Sequence, residues 1–115
     1  MKSKEYMSIK KMIDYTDKAL KYTKECNFEQ FSGNEEKVDA TVFAISQIGE
    51  LVKNISKETI EKYNNIEWII IKNLRNKIVH DYEGINLNLI WDIIENDIKQ
   101  LKEDLERIII ENKID

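Results

Sequence analysis

The sequence predicts an all-α protein, an up-down four-helix bundle with one short additional helical turn. Its 115 residues contain no proline and only three glycines, so few positions interrupt a helix. Apolar residues recur three and four positions apart in four separate stretches, and short connections between such helices favour antiparallel neighbours. A hydrophobic content of 42% and a charged content of 35% are typical of a soluble helical domain. We therefore expect one domain over residues 1–115.

The first half of the chain is predicted to contain two long helices and one short one. The first extends over roughly residues 4–26 and is followed by a polar connection, Asn27–Asn34. The second helix extends over Val38–Ile55, with apolar residues at helical spacing. Ser56 has the side chain of an N-cap, which predicts a short helical turn through Tyr63.

The second half is predicted to contain two further long helices. The third extends from about Ile66 to Tyr82, and Gly84 follows it where a helix C-terminus favours a left-handed residue. Asn86 has the side chain of an N-cap for the fourth helix. The apolar seam of the fourth helix comprises Leu87, Ile90, Ile94, Ile98, Leu101, Leu105 and Ile108.

The apolar surface of these helices is larger than one bundle can bury. Trp91 and Ile109, for example, lie beside the main seam of the fourth helix rather than on it. A second copy of the chain would cover such residues. We therefore expect a homodimer.

Composition excludes several classes of function. The chain has 18 lysines and arginines against 22 aspartates and glutamates, a formal net charge of −4, whereas proteins that coat nucleic acid non-specifically are normally basic. One cysteine, Cys26, and one histidine form neither a disulfide nor a zinc site, and the three glycines are too far apart for a phosphate-binding loop, so we expect no cofactor. With no apolar run that could span a bilayer and no secretory signal, we expect a cytoplasmic protein without membrane contact.

One arginine is unusual for its position on the third helix. An ideal α-helix places Arg75 on one stripe with Trp68, Ile71, Ile78 and Tyr82. Burying a guanidinium is costly unless it is paired or meets an anion, and its planar fork suits a carboxylate or a phosphate. We interpret Arg75 as a candidate anion-binding residue.

The only histidine, His80, lies five residues after Arg75. On a straight helix its side chain points about 140° away from that arginine. The two side chains therefore meet only if the last turn unwinds before Gly84, or if two copies of the helix combine across a dimer. The residues alone leave both alternatives open.

Each of these residues also has a structural interpretation. Arg75 is a candidate for an ion pair with Glu50 on the second helix. His80 near a helix C-terminus favours the helix dipole, and Tyr82 on an apolar face is typical of a core residue with its hydroxyl at the rim. Cys26 lies in no strongly basic environment, so we expect an inert thiol.

The segment Arg75-Asn76-Lys77-Ile78-Val79-His80-Asp81-Tyr82 resembles the R-x4-H-x-Y signature of the HEPN superfamily. The wider pattern resembles its HepT branch, toxins encoded beside a minimal nucleotidyltransferase antitoxin. Ile48-Gly49-Glu50 is similar to the Ile-Gly-Glu on the second helix of that branch. Trp68 and Leu74-Arg75-Asn76 resemble its central block, and Trp91 resembles the tryptophan of its fourth helix. The resemblance covers nearly the whole chain, up to about Leu105.

The resemblance implies a homodimeric HEPN bundle in which two motifs face each other across a cleft and cleave RNA without a metal ion. Arg75 would hold the scissile phosphate, and Asn76 would orient the histidine or the phosphate. His80 would act as general base or acid; one histidine per chain cannot supply both, but two chains bring two. The resemblance gives supporting roles to Glu50, Lys77 and Asp81.

The resemblance also implies a partner and a means of control. The protein would be the toxin of a type VII-like toxin–antitoxin pair, neutralised when the nucleotidyltransferase antitoxin transfers AMP to Tyr82. An alternative is a non-catalytic module that binds a nucleotide or the partner, with Arg75 as a docking residue. A third interpretation is a structural helical dimer in which Arg75 pairs with Glu50.

Overall fold

The computed structural model describes residues 1–80 and 84–113, and of His80 the backbone alone. The described chain is almost entirely helical, which confirms the all-α prediction. The α-helices are α1 (Ser3–Thr23), α2 (Phe28–Ser32), α3 (Glu35–Leu51), α4 (Lys57–Lys62), α5 (Trp68–Lys72), α6 (Leu74–Ile78), α7 (Leu87–Ile93) and α8 (Lys99–Glu111). A 3₁₀ turn, Val52–Asn54, follows α3, and a π-helical turn, Ile94–Ile98, joins α7 to α8.

Helix α1 lies at the centre of the packing. It contacts α3 along its length and α8 on another side, and α3 in turn packs against α5 and α6. The side chains at these contacts are apolar and removed from solvent, which provides most of the driving force for folding. The largest fully buried apolar side chains among the described residues are Ile9, Met12, Phe31, Ile45, Ile48, Ile78, Ile90, Ile98, Leu105 and Ile108.

The fourth predicted helix is confirmed as one continuous element, α7 to α8. Its N-cap is Asn86, whose side-chain oxygen accepts a hydrogen bond from the Leu89 backbone N–H at 3.1 Å. The predicted seam is buried from Ile90 to Ile108, and Leu87 at its start is half-buried. The π-helical turn was not predicted; such turns often occur at functional sites.

The polar connection predicted for Asn27–Asn34 is wrong, because this segment contains α2. Asn27 accepts a hydrogen bond from the Gln30 backbone at 2.8 Å, and the Gln30 side chain accepts one from the Asn27 backbone at 2.9 Å, which forms a capping box. Phe31 of this short helix is fully buried, and its ring lies 5.4 Å from that of Trp91. An aromatic contact with α7 therefore holds the segment helical.

The third predicted helix, Ile66–Tyr82, is interrupted. Its helical part begins at Trp68, is broken at Asn73 and ends at Ile78. At the break the Asn73 N–H is shared between the carbonyls of Ile69 and Ile70, both at 3.2 Å, instead of making one regular helical bond. The break changes which residues face the core.

A buried carboxylate fixes α1 to the start of α4. Glu5 is 5% exposed, and one of its oxygens accepts hydrogen bonds from the Ser56 backbone N–H at 2.7 Å and from the Ser56 hydroxyl at 2.8 Å. Ser56 is also the N-cap of α4, as predicted, and accepts from the Thr59 N–H. Burial alone would raise the pKa of Glu5, but the hydrogen bonds from Thr59 and Ser56 outweigh it, so this pKa lies below its ordinary value of 4.5.

Replacing Glu5 by Ala is expected to lower the free energy of unfolding by about 1–3 kcal/mol at pH 7, because a charged acceptor is lost from buried donors. Since the folded pKa is depressed, the Glu5 contribution is fully present above about pH 4.5 and is lost as the pH falls through the folded pKa. Urea unfolding of both proteins between pH 7 and pH 3 measures this. Glu58→Ala, at an exposed carboxylate of α4, is the control; a loss that does not shrink at acid pH would contradict the prediction.

Candidate functional site

The interruption of the third helix moves Arg75 from the predicted core position to the surface. The buried stripe of α5 and α6 is Trp68, Ile71, Leu74 and Ile78, with steps of three, three and four residues. The break at Asn73 thus gives the core position to Leu74, and the expectation that Arg75 sits in the apolar seam is wrong. Because its guanidinium is exposed, it carries no burial cost and is free to meet an anion from solvent.

The two residues that directly follow Arg75 on α6 are exposed as well. Asn76 and Lys77 face solvent, as do Lys72 and Asn73 immediately before the helix. Three cations and two amides therefore occupy six consecutive positions of a chain whose net charge is −4. Across residues 1–79 and 84–113, no carboxylate forms an ion pair with Arg75. This exposed segment can present positive charge and hydrogen-bond donors to a phosphate.

His80 follows this segment on extended backbone. After α6 ends at Ile78, strand β1 (Val79–His80) pairs antiparallel with strand β2 (Gly84–Ile85), with His80 opposite Gly84. Gly84 has φ +84°, so its predicted left-handed conformation is confirmed, although it serves the start of β2 rather than a helix end. The last turn is therefore unwound, the first of the two alternatives that periodicity left open. The candidate residues Asp81 and Tyr82 lie outside the described part of the chain.

Gly49 explains why α3 can support this segment. A Cβ at this position would lie 2.8 Å from the backbone oxygen of Ile71 and 3.2 Å from that of Lys72. Only glycine lets the backbones of α3 and α5 approach this closely. The place of Gly49 in the Ile-Gly-Glu motif did not predict this contact, although an isolated glycine inside an apolar helical pattern often marks a close packing contact.

Glu50 lies next to this contact but faces solvent. Its carboxylate pairs with Lys53, and the hydrogen bond and charge of Lys53, with a smaller contribution from Lys72, lower the pKa of Glu50. No ion pair joins Glu50 to Arg75, so the structure gives no support to the purely structural interpretation of this arginine.

The two tryptophans of the pattern have structural roles. Trp68 is 3% exposed, and its indole N–H donates to the Tyr63 carbonyl at 3.1 Å, which fixes the start of α5. Trp91 is half-buried and packs with its ring 6.0 Å from Phe28 and 5.4 Å from Phe31. Both side chains therefore hold helices in position.

Among the described residues, neither Cys26 nor a group of acidic side chains forms a metal site. The Cys26 thiol is half-buried and donates to the Thr23 carbonyl at 3.2 Å. Within the described part of the chain, no three His, Cys, Asp or Glu side chains are grouped so that they could hold a metal ion. None of the helices described is both long and apolar enough to cross a membrane.

One family of known proteins matches most of the chain. The family described as Ribonuclease HepT-like matches residues 12–108, and the chain belongs to this family. The match includes α3, the broken α5–α6 segment and most of α8.

Curated relatives carry ribonuclease names. A protein of Methanocaldococcus jannaschii that is named as a candidate RNase is 34% identical over 107 residues, which are 90% of this chain and 85% of the relative. One with the same kind of name from Caldanaerobacter subterraneus is 33% identical over 94 residues, 82% of this chain and 84% of the relative. The "Probable ribonuclease HepT" of Thermococcus cleftensis is 30% identical over 87 residues, 76% and 79% of the two chains. No solved structure gives a significant match.

Proposed function

We propose that this protein is a metal-independent endoribonuclease whose site is formed by the segment Arg75–His80 of two chains in a homodimer. The observation that carries the proposal is the exposed Arg75 guanidinium, which faces solvent without a carboxylate partner from residues 1–79 and 84–113. A phosphate diester is the anion that the family's ribonuclease names suggest for it. Its bidentate fork would hold the scissile phosphate and stabilise the charge that develops there.

The proposed reaction is a transesterification within the RNA. One histidine takes the proton of a ribose 2′-hydroxyl, whose oxygen attacks the adjacent phosphorus; the bond from phosphorus to the 5′-oxygen breaks, and the second histidine protonates that oxygen. The products are a 2′,3′-cyclic phosphate and a 5′-hydroxyl. Asn76 would orient the phosphate or the histidine, and Lys77 would add positive charge.

The requirement for two histidines is the reason to propose a homodimer. Each chain has a single histidine, which cannot be both acid and base in one turnover. Large apolar side chains remain exposed on several helices of one copy, among them Phe43 at 57% and Ile110 at 75%. A second copy would remove part of this surface from water.

We also propose that the protein is a toxin controlled by a nucleotidyltransferase antitoxin of a type VII-like pair. Transfer of AMP from ATP to Tyr82 would form a bond between the tyrosine oxygen and the α-phosphorus, with pyrophosphate leaving. The added phosphate would place negative charge two residues from His80 and close in sequence to Arg75, so it would compete with RNA for the arginine. Asp81 and Glu50 would shape the same surface.

The direct test is cleavage of a 5′-labelled single-stranded RNA in excess EDTA. The AMP-free wild-type protein is expected to cut it and to leave cyclic-phosphate ends, and His80→Ala is expected to lower the single-turnover rate by about 10²- to 10⁴-fold. The His80→Ala variant is purified in the same way as the wild-type protein. If both preparations cut RNA at the same rate, the cutting comes from a contaminating nuclease. If the wild-type protein leaves RNA intact but binds ATP, the chain is instead a non-catalytic nucleotide-binding module.

A further inference from the structure

A groove lies beside the Arg75 segment, between α5 and the helix formed by α7, the π-helical turn and α8. It encloses about 280 Å³. Its floor is made of aliphatic side chains from both sides. They are Ile66, Ile70, Ile71, Leu74, Ile93, Ile98 and Leu101.

The apolar surface of the groove continues onto the outside of the molecule. Ile70 is 42% exposed and Ile69 is 76% exposed, both on α5. A neighbouring depression shares Ile66, Glu67 and Ile70 with the groove and includes Ile69. Exposed aliphatic side chains that adjoin a groove with a polar rim can form part of a binding surface.

The rim of the groove is acidic. Glu67, Asp97 and Asp104 line it together with three amide side chains, and no lysine or arginine is among its described lining residues. Burial raises the pKa of Asp97, and the charges of Asp92 and Glu67 raise it further. Like charges that repel one another around an apolar floor are relieved by a cationic partner.

We propose that this groove docks a basic amphipathic helix of a partner protein. The apolar side of such a helix, with residues spaced by three and four positions, would lie on the isoleucines, and its lysines or arginines would meet Glu67, Asp97 and Asp104. RNA fits poorly, because three carboxylates would repel its phosphates. A second copy that met the groove with the same face fits poorly as well, because its own three rim carboxylates would lie against those of the first copy.

The position of the groove gives the docking a consequence for the proposed ribonuclease. Leu74 belongs to the groove floor, and the next residue is Arg75. An occupant would therefore lie against the short helix that carries this arginine and would affect its access to RNA. This consequence depends on the proposed function, whereas the docking itself does not.

The docking is tested with a fluorescein-labelled helical peptide of leucine and lysine, with leucine at i, i+3, i+4 and i+7. Peptides with glutamate in place of lysine, and with the same residues scrambled, are the reference probes. The basic peptide is expected to bind in fluorescence anisotropy, more weakly as salt is raised. In two-dimensional NMR it is expected to shift the amide signals of residues 65–74 and 93–104.

Two pairs of charge reversals locate the binding. Glu67→Lys/Asp97→Lys is expected to weaken the basic peptide at least about tenfold. Glu103→Lys/Glu111→Lys changes the net charge equally at exposed positions of α8 outside the groove and is expected to change the affinity less than twofold. Ile70→Ser, a partly exposed position, removes apolar contact without reversing charge and is expected to weaken binding as well.

Several results would overturn the docking proposal. Equal affinity for the scrambled or glutamate peptide would show that an amphipathic basic helix is not what the groove selects. If the two charge-reversal pairs weakened peptide binding equally, the binding would depend on the net charge of the protein and not on the groove. Shifts of the amides of residues 93–104, the wall that does not carry Arg75, by single-stranded RNA would assign the groove to RNA. Conversion of a dimer to a monomer by Glu67→Lys/Asp97→Lys would assign it to a second copy. None of these results depends on whether RNA is cleaved.

Discussion

Arg75→Ala is expected to lower the rate of RNA cleavage at least about hundredfold while leaving the fold intact. The loss follows from removing a charged donor that stabilises the developing negative charge on the phosphate. The fold is preserved because the guanidinium is exposed and Leu74 fills the core position. Single-turnover cleavage and thermal unfolding of the same preparation measure the two effects.

The chain offers a matched control for this experiment. Arg107, the second of its two arginines, is exposed on α8, so Arg107→Ala removes the same charge elsewhere. It is expected to leave the cleavage rate within twofold of wild type. Arg75→Lys is expected to restore only part of the rate, because an ammonium lacks the bidentate fork. Full activity of Arg75→Ala would remove this arginine from the mechanism.

Gly49→Ala is expected to destabilise the protein by about 1–3 kcal/mol, although Gly to Ala inside a helix normally stabilises by about 0.5–1 kcal/mol. The sign is reversed because the new Cβ would lie 2.8 Å from the Ile71 backbone oxygen, so α3 and α5 must separate. Urea unfolding of wild type and variant gives the difference in free energy of unfolding. A separation of these helices also shifts the segment before Arg75, so RNA cleavage is expected to fall with stability.

Glu50→Ala is the control at the adjacent residue of the same motif. Its carboxylate pairs with Lys53 on the surface, and exposed pairs of this kind contribute little, about 0–1 kcal/mol. We expect the two variants to differ clearly in midpoint denaturant concentration. A stabilised Gly49→Ala protein would contradict the close approach of the two backbones.

Periodicity predicted the parts of the fold in which one apolar stripe continues without interruption. The seam from Ile90 to Ile108 and the N-caps at Ser56 and Asn86 were correctly placed, because spacing and capping chemistry are local. The break at Asn73 was missed because helical periodicity assumes an unbroken helix, which puts Arg75 on the seam and Leu74 about 100° away from it. Which of them is buried depends on how closely α3 approaches, and that is a tertiary contact.

The residues of the candidate site could be proposed from the sequence, but their arrangement in space could not. The exposed Arg75 segment was found because its residues match a signature, and the interpretation of Arg75 as a buried charge was the part that failed. The unwinding after Ile78 depends on the pairing of Val79 with Ile85, a contact that helical spacing cannot report. The acidic groove was also missed, since its two walls, residues 65–74 and 93–104, are separated by eighteen residues of sequence.

The break at Asn73 gives the adjacent positions 74 and 75 different constraints, because only residue 74 is buried. Under the proposed toxin function, a genetic screen for survivors is expected to recover many different residues at position 75, each in a protein that still accumulates. Survivors changed at position 74 would instead contain little of the protein, because the misfolded chain is degraded. One break in a helix therefore allows the proposed activity to be lost in evolution while the folded protein is kept.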